Sequence, residues 1–116
     1  MGYRSQVVLA VGAELMPQFM STMAKSPEAM RMCFSNHDEM IKDYEGEEGA
    51  MLFMWGHIKW YDSFEEVQAI EDFLDWAEGE DHHEKFKFLR IGEELDDNDQ
   101  RGWGFDDVFV SRTVTF

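Results

Sequence analysis

Residues 63–79 have the sequence SFEEVQAIEDFLDWAEG, and this segment governs which fold we expect for the chain. At about 100° per residue, the apolar side chains share one side of a helix; they are Val67, Ile70, Phe73, Leu74 and Ala77. The opposite side is acidic and carries Glu65, Glu71, Asp72, Asp75 and Glu78. This division is typical of a surface helix that covers a sheet. We therefore predict an amphipathic helix from Phe64 to about Glu78.

Both ends of this helix carry the signals expected of helix termini. Ser63 precedes Glu66 by three residues, which is the spacing of a capping box. Gly79 follows the last turn, where glycine commonly ends a helix. The sequence thus predicts a helix with a start capped by Ser63 and an end at Gly79.

Strand patterns lie on both sides of this helix. The apolar, β-branched segment 3–12 predicts a central strand, and segments 85–91 and 108–116 predict two further strands. Residues 50–55 also predict a strand, which we pair in a hairpin with residues 40–44. Segment 40–44 could also continue the preceding helix, so its assignment stays open at this point, although the hairpin is favoured.

Two shorter helices complete the chain. Apolar residues recur at helical spacing over residues 14–25, and Ser26 followed by Pro27 and Glu28 begins another helix. Residues 92–107 are polar and predict a loop. The order β-α-α-β-β-α-β-β predicts an α+β fold in a single domain over residues 1–116. We expect a mostly antiparallel sheet of four to five strands, with two main helices packed on one face.

The charge of the chain is strongly negative and unevenly placed. The net charge is −15, and residues 38–107 hold 23 acidic and six basic residues. Such a field repels nucleic acids and anionic membranes, so direct nucleic-acid binding is excluded and a partner selected by charge would be basic. A solvated acidic surface without a partner would give the same composition.

The acidic residues and two tryptophans are the candidate partner-binding residues. Acidic residues in a row along a helix imitate the spaced phosphates of a nucleic acid, and tryptophan is a frequent anchor of protein interfaces. The candidate set consists of Glu65, Glu71, Asp72, Asp75, Glu78, Asp96, Asp97, Asp99, Trp60 and Trp103. Trp60 belongs to the aromatic segment 55–61, for which packing at the end of the core is the favoured interpretation.

No catalytic, cofactor-binding or metal-binding residue is identified by pattern. In an EF-hand alignment that starts at Asp97, Arg101 would occupy the fifth position and Val108 the twelfth, where glutamate is required. His82 and His83 are adjacent and therefore point apart. The single cysteine, Cys33, rules out an intrachain disulfide and a cysteine-based zinc site. We predict no cofactor.

Two alternative functions remain open from the sequence. One is a small metal-dependent factor or enzyme that uses the carboxylates of the 93–107 loop with His82 or His83. The other is a homo-oligomeric structural or interaction protein, in which the closing strand ending at Phe116 pairs with a second copy. The chain has neither a signal-peptide pattern nor an apolar run that could span a bilayer, so we expect a cytoplasmic protein without a membrane partner.

Three short segments carry a resemblance to a known group of proteins. The opening MGYRS (residues 1–5), IKWY (58–61) before the acidic helix, and RIGEE (90–94) together resemble small uncharacterised proteins of tailed bacteriophages. The resemblance implies an accessory protein that acts in the host cytoplasm, and it transfers no active-site residue. Together with the charge, it leads us to expect a non-enzymatic protein that binds, and inhibits, a host protein with a basic surface, such as one that binds nucleic acids.

Overall fold

The computed structural model describes residues 2–94, 96–105, 109–111 and 113–115, and for residues 106–116 it describes no side chains. Its helices are α1 (Met16–Met23), α2 (Pro27–Phe34) and α3 (Glu65–Gly79). Its strands are β1 (Ser5–Val11), β2 (Glu39–Lys42), β3 (Met51–Ile58), β4 (Phe86–Ile91), β5 (Asn98–Arg101), β6 (Phe109–Ser111) and β7 (Thr113–Thr115). Short 3-10 turns occupy Ala13–Leu15, Tyr44–Gly46 and His83–Lys85.

The main sheet has five strands in the order β2-β3-β1-β4-β5, and every neighbouring pair is antiparallel. β1 lies at the centre because it is apolar on both faces, and its Leu9 sits opposite Phe53 of β3 and Phe88 of β4. β2 pairs with β3, which places Met40 opposite Phe53 and settles this segment as a strand. The predicted α+β fold with a mostly antiparallel sheet is confirmed.

The predicted loop at 92–107 is wrong in part, because it contains the edge strand β5. This strand has the sequence NDQR, without the apolar alternation from which strands are recognised. It pairs with β4, where Phe88 lies opposite Arg101 and Arg90 opposite Asp99. An edge strand with both faces polar is held by its backbone ladder and by charged contacts, neither of which leaves an apolar pattern in the sequence.

The predicted single closing strand at 108–116 is also wrong. The described residues of this segment form β6 and β7, which pair with each other as a separate two-stranded sheet. β6 contacts β4, and β7 contacts both β1 and β4. Alternating valine, phenylalanine and threonine suit two short strands as well as one long strand, and the sequence of this segment has no glycine or proline that would indicate a division. Val108, Arg112 and Phe116 lie outside the described residues.

The core fills both faces of the main sheet. The larger cluster lies between the sheet and the three helices, where β1, β3 and β4 contact α1, α2 and α3 through fully buried side chains such as Leu9, Phe19, Phe53 and Phe73. The smaller cluster, on the opposite face, includes Val8, Ala10, Leu52 and Leu89. Among the described residues, no helix is both long enough and apolar enough to cross a membrane.

The start signals predicted from the sequence agree with the structure for two of the three helices. Ser26 caps α2 by accepting a hydrogen bond from the Ala29 amide at 3.2 Å, and Pro17 lies in the first turn of α1 as expected. The predicted Ser63 cap of α3 is wrong, because Phe64 occupies the cap position and no side chain caps the helix there. The Phe64 amide donates to the Tyr61 carbonyl at 2.9 Å and closes a turn before the helix. Because of this turn, α3 begins one residue too far along the chain for Ser63 to occupy the cap position.

Candidate functional site

Arg101, the last residue of β5, gathers three of the predicted acidic residues of α3. Its guanidinium donates to Glu71 Oε1 at 2.8 Å, to Asp75 Oδ1 at 2.6 Å and to Glu78 at 2.6 Å and 3.2 Å. The Arg101 side chain is 19% exposed, whereas that of Asp75 is 70% exposed. Three carboxylates therefore share one largely covered guanidinium and retain a net negative charge; we call these four residues the Arg101 cluster.

The carboxyls of the Arg101 cluster differ in their environment. Hydrogen bonds from Arg101 hold the pKa of Glu78 below its ordinary value. Burial raises the pKa of Glu71, and the nearby charge of Arg101 only partly offsets this effect. The pKa of Arg101 itself is raised by its hydrogen bonds with Glu78, so the guanidinium stays charged. The cluster thus combines a firmly ionised group with one that burial makes easier to protonate.

A second arginine organises the aspartates that follow β4. Arg90 donates to Asp97 Oδ1 at 2.7 Å and to Asp99 Oδ2 at 2.8 Å, and its remaining amino group reaches Ser5 Oγ at 3.1 Å. The Tyr3 hydroxyl donates to Asp97 Oδ2 at 2.6 Å. The bonds from Arg90 and then Tyr3 lower the pKa of Asp97, and the bond to Asp97 raises the pKa of Tyr3. We call this group the Arg90 cluster.

A cleft of about 600 Å³ lies between the two clusters. Its charged lining residues are Arg90, Arg101, Asp62, Glu71, Asp97 and Asp99. Its aromatic walls are formed by Tyr3, Trp60, Tyr61 and Phe88. The four carboxylates outnumber the two guanidinium groups, so the cleft is negative although each arginine is paired. Four of the predicted residues therefore meet at one place: Trp60, Glu71, Asp97 and Asp99.

Of the other predicted residues, Asp75 and Glu78 belong to the Arg101 cluster, while Glu65, Asp72, Asp96 and Trp103 lie elsewhere on the surface. Glu65 and Asp72 are exposed on α3 beside a shallow pocket that Lys25 also lines, and Asp96 is exposed in the turn before β5. Trp60 is half-buried, with its ring 6.2 Å from that of Trp55 and 5.8 Å from that of Phe88, as the favoured interpretation of segment 55–61 expects. Trp103, in contrast, is 60% exposed.

The sequence interpretation missed the residues that organise the site, namely Tyr3, Arg90 and Arg101. Each is a single polar residue whose partner lies at least seven positions away along the chain. The only sequence signal was the pair of arginines on either side of an acidic segment. That signal becomes informative only when β4 and β5 are placed side by side.

Nucleophilic and metal chemistry find little support in the described part of the chain. Cys33 is fully buried, and this burial raises the pKa of its thiol to about 12. His37 Nδ1 lies 2.9 Å from the Cys33 carbonyl oxygen and donates to it, so this contact does not activate the thiol. Within the described residues, no group of three or more histidine, cysteine, aspartate or glutamate side chains could hold a metal ion.

Comparison with known proteins gives no relative from which a site could be transferred. No protein-family model, no curated protein and no solved structure matches the chain. The assignment of function therefore depends on the geometry of the clusters and on their charge.

Proposed function

We propose that this chain is a non-enzymatic accessory protein of a bacteriophage, which binds a host protein through its acidic surface and inhibits that protein. The observation that carries the proposal is the excess of carboxylates around the cleft, where two arginines bind five carboxylates and neutralise only two of their five negative charges. The phage context comes from the sequence segments 1–5, 58–61 and 90–94.

The arginines make the acidic surface rigid as well as less charged. Long glutamate side chains on a free helix face sample many rotamers, and fixing them at an interface costs conformational entropy. In the Arg101 cluster the carboxylates of Glu71, Asp75 and Glu78 are already held by hydrogen bonds before any partner arrives. A surface prepared in this way supports binding by a basic partner at a lower entropic cost.

The spacing of the carboxylates suits a partner that normally binds nucleic acids. Glu71, Asp75 and Glu78 follow each other by four and three residues on α3, so they form a row along one side of the helix. Proteins that bind nucleic acids contact a row of phosphates with lysine and arginine. A row of fixed carboxylates can occupy such a surface and block it, which is the inhibitory step of the proposal.

Capture from a host lysate at low and high salt tests this function. Wild-type protein should retain a partner at low salt and release it at high salt, because contacts between exposed charges are screened. Capture should be lost when Glu71→Gln, Asp75→Asn and Glu78→Gln are combined. The retained protein is identified by mass spectrometry, and nucleic acid added to the reaction should compete with the bound chain.

A matched variant controls for the loss of overall charge. Glu28→Gln, Glu39→Gln and Glu48→Gln also remove three carboxylates, all of them exposed and away from the cleft. This variant should capture the partner nearly as well as wild type. Equal loss in both variants, or equal capture by both, would remove the acidic cleft from the proposal, provided that circular dichroism shows both variants to be folded.

A further inference from the structure

Trp103 stands out from the other large apolar side chains. Of those that the structure describes, only Met20 and Trp103 are exposed, at 37% and 60% of their surface. Leaving so much of an indole in water is unfavourable, and exposed tryptophans are frequent at protein interfaces. The other candidate anchor, Trp60, packs against Trp55 and Phe88 and has less surface to offer.

The Trp103 ring is held in place by His83. Its backbone amide donates to the His83 carbonyl at 2.8 Å, and the indole stacks on the His83 imidazole with ring centres 4.8 Å apart and planes 8° from parallel. The His83 ring is in turn 6.4 Å from that of Phe86, which is fully buried. The exposed face of Trp103 is therefore supported by the core.

The two flanking glycines fix the loop that presents Trp103. Gly102 has φ +76°, and a Cβ at this position would lie 2.4 Å from the Phe86 carbonyl oxygen. A Cβ on Gly104 would lie 2.6 Å from the Glu84 carbonyl oxygen, and the Gly104 amide donates to the Phe86 carbonyl at 3.0 Å. Backbone on both sides of Trp103 thus packs directly on the start of β4, so the ring is displayed in a defined position.

Part of the negatively charged Arg101 cluster lies near this ring. Trp103 lies two residues beyond Arg101, and the Arg101 guanidinium bonds Asp75 and Glu78 of α3. The side chain of Glu78 lies close enough to His83, on which Trp103 stacks, for the two to interact electrostatically. An aromatic anchor with polar or charged groups beside it is a frequent layout of a protein interface hot spot.

We propose that Trp103 is the anchor of the partner interface and inserts into an apolar pocket that lysine or arginine residues surround on the partner protein. This inference rests on the proposed function and specifies the partner surface that would fit. Charge complementarity selects a basic protein, because a second copy of this chain carries −15 and would be repelled. The carboxylates guide and orient the partner, and the indole supplies the apolar contact.

Two synthetic peptides with the same number of lysines serve as defined probes, one with leucine and the other with serine in the remaining positions. Wild-type protein should bind the leucine–lysine peptide about tenfold more tightly than the serine–lysine peptide. Trp103→Ala should abolish this preference and leave binding of the serine–lysine peptide unchanged. Gly104→Ala, which displaces the loop but keeps the indole, should reduce the preference several-fold.

Met20→Ser is the matched control, since Met20 is the other exposed large apolar side chain that the structure describes. It should leave the preference unchanged. In wild-type protein, the indole NMR signal of Trp103, assigned through Trp103→Phe, should shift with the leucine–lysine peptide. This measurement is made on the intact wild-type fold, so it stands even if a variant unfolds.

The outcomes separate this inference from the proposed function. A preference that survives in Trp103→Ala, or that is absent in wild type, overturns the anchor role. The triple variant with Glu71→Gln, Asp75→Asn and Glu78→Gln is then decisive. If it binds both peptides more weakly than wild type and with less dependence on salt, the proposed role of the acidic surface is retained although Trp103 is not the anchor. If that variant binds like wild type, the proposed function fails. Self-association that depends on Trp103 in light scattering would make a second copy the occupant and also overturn the inference.

Discussion

Arg101 and Arg31 both pair with glutamate, but their surroundings differ. Arg31 bonds Glu28 one turn away at 2.9 Å, and about half of each side chain is exposed. Arg101 is 19% exposed and bonds three carboxylates, two of which belong to partly buried residues. Exposed pairs within a helix contribute only a few tenths of a kcal/mol, whereas charged hydrogen bonds that are withdrawn from water contribute more.

We therefore expect Arg101→Ala to lower the free energy of unfolding by about 1–3 kcal/mol, because it leaves Glu71, Asp75 and Glu78 close together without a cation. Arg31→Ala should lower it by less than about 0.5 kcal/mol. Urea unfolding of both variants at neutral pH measures the difference. Similar values for the two variants would show that the Arg101 cluster is as weak as an ordinary surface pair.

At the scale of elements, apolar periodicity and turn residues predicted most of the fold. The helix over residues 64–78 and the central strand follow from where apolar residues recur, whereas the hairpin of β2 with β3 was only the favoured of two interpretations. β5 could not be predicted in this way, because its sequence is entirely polar and its position depends on Arg90 and Arg101. The same applies to the site: sequence located its acidic residues, but which of them meet is decided by the pairing of β4 with β5.

The two serines at helix starts give a direct comparison of local signals. Ser26 accepts a hydrogen bond from the Ala29 amide at 3.2 Å, whereas Ser63 lies one residue before the cap position of α3 and is exposed. Ser26→Ala should therefore cost about 1 kcal/mol in the free energy of unfolding, and Ser63→Ala only a few tenths. Thermal and urea unfolding check both values. A loss of about 1 kcal/mol for Ser63→Ala would mean that Ser63 caps the helix in solution.

For the molecule as a whole, lowering the pH changes the contributions of different carboxyl groups to stability in opposite directions. Asp97 and Glu78 have a lower pKa in the folded chain because of bonds from Arg90 and Arg101, so their stabilising effect is complete above the unfolded pKa of about 4. That effect is lost as pH falls through the folded pKa. Glu71, with a pKa raised by burial, has the opposite sign, since its protonation favours the folded state.

The variant Asp97→Asn tests the contribution of the Asp97 carboxylate to the pH dependence of stability. At pH 7 the variant should be less stable than wild type, since Asn carries no charge and has one acceptor oxygen in place of the two carboxylate oxygens that accept from Arg90 and Tyr3. As pH falls below about 4 the difference should shrink towards zero, because Asp97 then becomes protonated in wild type as well. Urea unfolding at a series of pH values follows this difference.

Glu48→Gln is the control, because Glu48 makes no side-chain hydrogen bond within the described part of the chain, and its difference from wild type should be small throughout. A difference for Asp97→Asn that is independent of pH would mean that the Arg90 cluster contributes by packing rather than by charge.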